Sequence, residues 1–268
     1  MLSTKSAIGF INEWKGDDDL ASLKLEALTV RFGGLVAVNQ LDLDVRDGEL
    51  RCLLGPNGAG KSTTLDLICG KTRPTSGKVL LDGENITDLQ EYQRARKGVG
   101  RKFQTPSVFK ELTVLENLEV ARSEQPGFLQ CLQVFRTPVR GRVREVLSLV
   151  GLRDYANTPA GNLSHGETQW LEIAMLLMQE CKVLLMDEPT AGMTIQETAQ
   201  TATLFNELRG EHTMIVVEHD MSFVRDIAQT VTVMDMGALL AEGTITEIEN
   251  NPAVREAYLA DTGDEANA

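Results

Sequence analysis

Residues 55–63 read GPNGAGKST, a G-x-x-x-x-G-K-[ST] pattern placed directly after the apolar run ELRCLL and directly before the helical run STTLDLICG. Gly55, Gly58 and Gly60 let the backbone turn so that successive N–H groups point inward and cradle an anion. Pro56, Asn57 and Ala59 complete the loop, and the helix starting near Lys61 adds unsatisfied N–H groups and the positive end of its dipole. Lys61 supplies a mobile cation for the β- and γ-phosphates of a nucleotide, and Ser62, followed by Thr63, supplies a hydroxyl for Mg²⁺. The competing reading is a glycine-rich turn with a chance lysine, which the flanking strand and helix argue against.

A phosphate site that does chemistry needs a second metal partner and a base. VLLMDEP (183–189) offers both. Its four apolar residues predict a buried strand from whose end Asp187 emerges as a direct or outer-shell Mg²⁺ carboxylate. Glu188 follows, placed to polarise an attacking water. A solvated acidic turn is the plainer alternative for an Asp-Glu pair.

A third cluster, LSHGETQW at 163–170, carries a serine and a histidine at a spacing that suits neither a nucleophile triad nor a zinc site. It opens the apolar helical run LEIAMLLM, so Ser164 sits where a helix N-cap is expected.

Strands and helices must hold these clusters together. LKLEALTVRF and LDLDV alternate as half-buried strands do. ELRCLL, KVLLMDE and TMIVVEH are short apolar runs of the kind buried in a parallel sheet. STTLDLICG, QETAQTATLFNELRG and MSFVRDIAQ read as helices, KVLLDG as strand and turn, and TVTVMDMGALLAEG as a hairpin. Between about 89 and 165 helical patterns dominate, as in LTVLENLEVARS and RVREVLSLVGL, around a loop-like stretch at 123–141. The fold class expected is α/β: a largely parallel sheet under helices, a small antiparallel sheet beside it, and an inserted helical block. The expected organisation is a mobile arm at 1–22, one domain over 23–260 and a frayed acidic tail at 261–268.

Bulk properties narrow the partners. The chain has 268 residues, 42% hydrophobic and 24% charged, enough for a real core. Its net charge of −13 argues against a nucleic-acid-binding face. Cys52, Cys69, Cys131 and Cys181 form no C-x-x-C pair, which predicts free thiols in a reducing compartment. The first twenty residues do not read as a secretion signal, and no run approaches eighteen apolar residues, so membrane work would require separate membrane proteins.

LSHGETQW resembles the LSGGQ signature of the ATP-binding cassette (ABC) ATPases, departing from it at His165 and Glu167. The order of motifs is similar too: the phosphate loop, Gln104 in KFQTP, the signature, VLLMDEP, then His219 in VVEHD. The resemblance spans nearly everything from Leu23 onward. It implies a P-loop NTPase fold with a RecA-like parallel-sheet core, an antiparallel β subdomain and an α-helical subdomain. It also implies ATP and Mg²⁺ as ligands, with Gln104 sensing metal and γ-phosphate and His219 bonding the γ-phosphate. Phe32 would stack on adenine where many relatives use tyrosine, with a core phenylalanine as its alternative. Leu163, Ser164, His165, Gly166 and Glu167 would reach the γ-phosphate held by a second ATPase chain, so that one copy carries two half-sites. A plain N-cap is the alternative reading of Ser164, and capping and anion binding use the same geometry. TAGMT departs from the SALD-like stretch of many relatives, with Thr194 where they have an aspartate.

One cassette without long heptad arms suits a transporter subunit better than a DNA-repair or chromosome ATPase. Segment 104–118 would face the permeases, with Phe109, Leu112 and Val114 as groove residues or ordinary core. GRKFQTPSVF, LSHGETQWLEIAMLLMQ and EPTAGMT look most like cassettes of the branched-chain amino acid and urea uptake group, the urea branch above all. That implies an importer ATPase at the cytoplasmic face of the inner membrane. Its partners would be separate permeases, a sister ATPase or a second copy, and, indirectly, a periplasmic or extracellular solute-binding protein. A branched-chain amino acid importer is the alternative, and a regulatory ATPase acting on a soluble partner or a degenerate structural subunit are the alternatives from other classes.

Overall fold

The chain folds around short strands whose two faces are both apolar. In the computed structural model, which describes residues 21–102, 108–122 and 139–265, the elements run β1 (Ala21–Phe32), β2 (Leu35–Arg46), β3 (Leu50–Leu54), α1 (Lys61–Cys69), β4 (Ser76–Leu81), β5 (Glu84–Asn85), α2 (Glu91–Arg96) and β6 (Val99–Lys102). They continue with α3 (Val114–Arg122), α4 (Val139–Leu149), α5 (His165–Met178), β7 (Val183–Asp187), α6 (Ile195–Leu208), β8 (Thr213–Val217), α7 (Met221–Ile227), β9 (Thr230–Asp235), β10 (Ala238–Gly243), α8 (Ile245–Asn250) and α9 (Pro252–Glu265).

Six strands form the main sheet in the order β10-β9-β3-β8-β7-β6, parallel throughout except for the β9–β10 hairpin. Every residue of β3, β7 and β8 is buried. Alternate side chains supply two cores. Leu53, Val183, Leu185, Ile215 and Val217 face α1 and the small sheet, while Cys52, Leu54, Leu184, Met186, Met214 and Val216 face α5, α6 and α7. This double burial is why these strands are continuous apolar runs without alternation.

The second sheet, β2-β1-β4-β5, is antiparallel. In β2, Leu41, Leu43 and Val45 point inward while Asp42, Asp44 and Arg46 stay in solvent, so one face is wet. Its partner breaks the period. Leu23 and Leu25 are buried, and so are Leu28 and Val30. The phase change falls at Ala27, whose φ of 45° makes a bulge that Asp42 holds by accepting from its N–H at 2.8 Å.

Three boundaries differ from the sequence expectation. β1 begins at Ala21 and buries Ser22, inside the segment expected to be an arm. α9 runs through Glu265, past the start of the expected tail. The segment after residue 89 does not open the helical block: α2 and β6 belong to the main core. Arg94 on α2 is wholly buried and caps α1, donating to the carbonyls of Leu67 at 2.6 Å, Ile68 at 2.9 Å, Leu89 at 3.1 Å and Thr87 at 2.6 Å. β6 reads VGRK, too short and too charged to resemble a buried strand, yet it pairs with β7 along its length. Helices α3, α4 and α5 then pack on one another.

Of the expected groove residues, Phe109 is exposed, Leu112 is half-buried and Val114 is fully buried in the core. Asn117, itself buried, holds the Phe109 turn by donating to the carbonyls of Phe109 and Thr113 and accepting from the Phe109 N–H at 2.8 Å. Cys52, Cys69 and Cys181 are buried free thiols, while Cys131 lies outside the described residues. Among the described residues, no helix is long and apolar enough to cross a membrane.

Candidate functional site

Lys61, Ser62, Asp187, Glu188 and His219 come from three separate stretches and meet at the carboxyl ends of β3, β7 and β8, where open α/β sheets place their ligands. β3 delivers the 55–60 loop, which closes into α1 through Gly60 in left-handed conformation at φ 96°. A Cβ there would lie 2.4 Å from the Ala37 carbonyl oxygen, so the loop passes too close to β2 for a side chain. Asn57 and Gly58 are exposed, whereas Gly55 and Ala59 are buried, with Pro56, Gly60 and Thr63 between. The Lys61 ammonium lies over the loop, donating to the carbonyls of Gly55 at 2.7 Å and Pro56 at 2.8 Å.

Ser62 Oγ donates to Asp187 Oδ1 at 3.3 Å, bridging the phosphate loop to the end of β7. Asp187 is 3% exposed, and burial pushes its carboxyl above the usual range while the Ser62 hydroxyl and the Arg101 guanidinium oppose that shift. Arg101 on β6 lies 3.5 Å from Asp187 Oδ2 and also bonds Asp66. A buried carboxylate beside a hydroxyl is a hard oxygen pair of the kind that would suit Mg²⁺. Among the described residues, no group of three or more His, Cys, Asp or Glu is placed to hold a metal ion.

Glu188 stands in the left-handed region at φ 48°, unusual for a glutamate. Its backbone is held from both sides: its N–H donates to the Val217 carbonyl at 2.9 Å and its carbonyl accepts from Ala191 N at 3.2 Å. The side chain is about one-third exposed and lies 3.2 Å from His219 Nε2. Strained backbone held this firmly marks a site where side-chain direction matters. Behind it Glu218 is buried. Its Oε1 accepts from the Thr190 N–H at 3.0 Å and the Thr190 hydroxyl at 2.7 Å, and its Oε2 accepts from the His219 N–H at 3.2 Å.

The signature segment occupies the N-terminus of α5. Ser164 is the N-cap in a reciprocal capping box: its Oγ accepts from Glu167 N at 3.2 Å, and Glu167 Oε2 accepts from Ser164 N at 2.8 Å. Glu167 therefore serves the helix end. Leu163 is half-buried against the core and Gly166 is buried, while Ser164 and His165 are exposed. The His165 ring turns toward its own chain, with Nε2 at 2.9 Å from the Ala191 carbonyl oxygen. Thr194 repeats the capping-box geometry at the start of α6, with Glu197.

Two expected residues resolve differently. Phe32 is 51% exposed at the end of β1, which removes the core-phenylalanine alternative. Gln104 lies outside the described residues. Arg101, Lys102, Thr190 and Glu218 were not singled out from the sequence. Lys102 is buried and lies 3.5 Å from Glu172 on α5, and burial lowers its pKa. The only hint of these in the chain is that two adjacent charges precede the 103–107 segment and a glutamate precedes His219.

Comparison with known proteins agrees with this arrangement. Residues 38–191, more than half of the chain, match the ABC transporter family, and residues 238–259 match the branched-chain amino acid ATP-binding cassette transporter family. The chain is 41% identical over 249 residues to the high-affinity branched-chain amino acid transport ATP-binding protein BraF of Pseudomonas aeruginosa, covering 89% of this chain and 98% of that one. It superposes with a TM-score of 0.78 on the crystal structure of an ABC-transporter cassette in its ADP conformation, at 30% identity and covering 90% of this chain and 99% of that one. It also resembles a dimeric cassette in a post-hydrolysis state bound to ADP and Pi, with a TM-score of 0.69 at 26% identity, covering 83% of this chain and 98% of that one. The α/β architecture, the ATP-binding motifs and the relatives together place this chain in the ABC transporter family, as an ATP-hydrolysing subunit of its branched-chain amino acid group.

Proposed function

We propose that the chain is the ATPase of an importer that docks peripherally on separate permeases at the cytoplasmic face of the membrane. It would work as a head-to-tail pair in which each chain supplies complementary parts of two nucleotide pockets. The observation that carries this reading is the meeting of Lys61 and Ser62 with Asp187, Glu188 and His219 at one end of the sheet, while the capped Ser164 stands on a separate helix.

In this reading Gly55, Pro56, Asn57, Gly58, Ala59, Gly60, Lys61, Ser62 and Thr63 bind the phosphates, and Phe32 stacks on the base from the end of β1. Ser62 and Asp187, with Gln104, would hold Mg²⁺, which when bound would supply positive charge against the phosphates. Lys61 leaves the loop carbonyls for the phosphates, exchanging two neutral acceptors for charged ones. Glu188 polarises the attacking water, and His219, held by Glu188 and Glu218, points its imidazole at the γ-phosphate. The segment 163–167 of the partner would close the pocket over that phosphate with the exposed Ser164 and the positive end of the α5 dipole. The dimeric relative bound to ADP and Pi supports pairing.

The cargo favoured is a branched-chain amino acid, because the C-terminal family match and BraF both point there, in preference to the urea expected from the signature resemblance. Urea stays as the second reading on the resemblance carried by GRKFQTPSVF, LSHGETQWLEIAMLLMQ and EPTAGMT. Purifying the chain from membranes with its partners and measuring uptake of labelled leucine and labelled urea in vesicles decides between them. Leucine uptake is expected; urea uptake without leucine overturns the cargo, and failure to co-purify with any membrane protein overturns the transporter reading in favour of a soluble partner.

A further inference from the structure

We infer that His165 is a positioning residue that ties the N-terminus of α5 to the hydrolytic end of its own chain, so that engagement of one pocket by the signature segment bears on turnover in the other. The inference rests on the two-half-site reading above and adds a route between them.

The route is a short run of contacts. His165 Nε2 lies 2.9 Å from the Ala191 carbonyl oxygen. Ala191 N donates to the Glu188 carbonyl at 3.2 Å, and its neighbour Thr190 is clamped by Glu218 through two bonds of 3.0 and 2.7 Å. Glu218 also accepts from the His219 N–H at 3.2 Å, and the His219 ring meets Glu188 at 3.2 Å. Thr190 and Glu218 are both buried, so the clamp between the two loops is rigid. The histidine at the signature helix therefore grips a loop that is fixed at its other end to Glu188 and His219, the residues assigned above to the water and the γ-phosphate.

Local packing fits the grip. Gly192 is left-handed at φ 76°, and a Cβ there would lie 3.1 Å from His165 Nε2, so the loop is shaped to let the ring approach. A carbonyl oxygen only accepts, so Nε2 carries the proton. Gln169 Nε2, 3.3 Å from the same ring nitrogen, then faces a donor, while Gln169 Oε1 is buried without a partner. Turning the amide over brings its oxygen to the His165 N–H and removes the conflict. The side chain at this position thus bonds inward to its own chain, a role separate from the phosphate contact assigned to its neighbour Ser164.

The test uses the full chain in the assembly with which it purifies, comparing His165→Phe, which keeps ring volume and loses the donor, with His165→Gln, whose amide N–H reaches the same carbonyl. One hydrogen bond at a partly exposed position predicts that His165→Phe lowers kcat by about five- to tenfold with KM for ATP changed by less than about twofold. His165→Gln is expected to recover more than about half of the lost kcat. A kcat for His165→Phe within about twofold of the parent, or no recovery in His165→Gln, overturns the link. Lys61→Ala is measured alongside. If it leaves ATP affinity unchanged, the nucleotide-site reading itself fails; if it loses ATP while His165→Phe is silent, the link alone fails.

Discussion

Glu188→Gln separates chemistry from binding more cleanly than any other change to this chain. The substitution is isosteric, so the left-handed backbone at φ 48° and its bonds to Val217 and Ala191 stay as they are. The amide still reaches His219 across the 3.2 Å contact. Because the Glu188 side chain is 34% and His219 42% exposed, solvent already screens that pair, and its loss costs about 0.5 kcal/mol. For a chain of this size that shifts the melting temperature by about 1–2 °C. The catalytic loss is far larger, since removal of a general base slows hydrolysis by about 10²–10⁴-fold, or about 3–5 kcal/mol of barrier. Phosphate release measured beside ATP affinity and thermal unfolding gives all three quantities on one preparation. Turnover within tenfold of the parent would refute Glu188 as the base, and a melting temperature lowered by about 10 °C would show that the rate fell through unfolding.

Three further outcomes are expected. Lys61→Ala weakens ATP binding by about tenfold or more, read by titration of nucleotide, because the only mobile cation of the loop is lost. Ser164→Arg leaves ATP binding by a single chain intact and abolishes ATP-driven pairing in sedimentation or gel filtration; loss of binding by the single chain would place the signature in the same pocket as Lys61. Arg94→Met destabilises the chain by about 3–4 kcal/mol in denaturant unfolding, because the carbonyls of Leu67, Ile68, Leu89 and Thr87 lose the guanidinium N–H groups that bond them; an unchanged midpoint would mean that solvent replaces them.

The strands that carry chemistry were legible because burial on both faces forces unbroken apolar runs, as in LLMD and IVVEH, and the reactive residues follow directly after them. The glycine and lysine spacing at 55–63 is equally local, and so is readable without a fold. β6 was not legible. VGRK owes its place to pairing with β7 and to Arg101 and Lys102 finding carboxylates far along the chain, and no local pattern encodes those partners. The change of phase in β1 depends on the bulge at Ala27, which an alanine does not advertise. His165 and Glu167 looked like departures from a motif. The reason for His165 emerges only when α5 is seen beside the loop after β7, where it grips Ala191, whereas Glu167 closes a capping box with Ser164 three residues earlier, a local spacing.

The most direct measurement is a density map of the Glu188→Gln assembly trapped with ATP and Mg²⁺. The account predicts two nucleotides at the seam, each with Lys61 and Ser62 of one chain on its phosphates and, where the partner is a second copy, Ser164 of the facing chain within hydrogen-bond reach of the γ-phosphate. Nucleotide bound wholly within one chain, with Ser164 remote from any γ-phosphate, would contradict it.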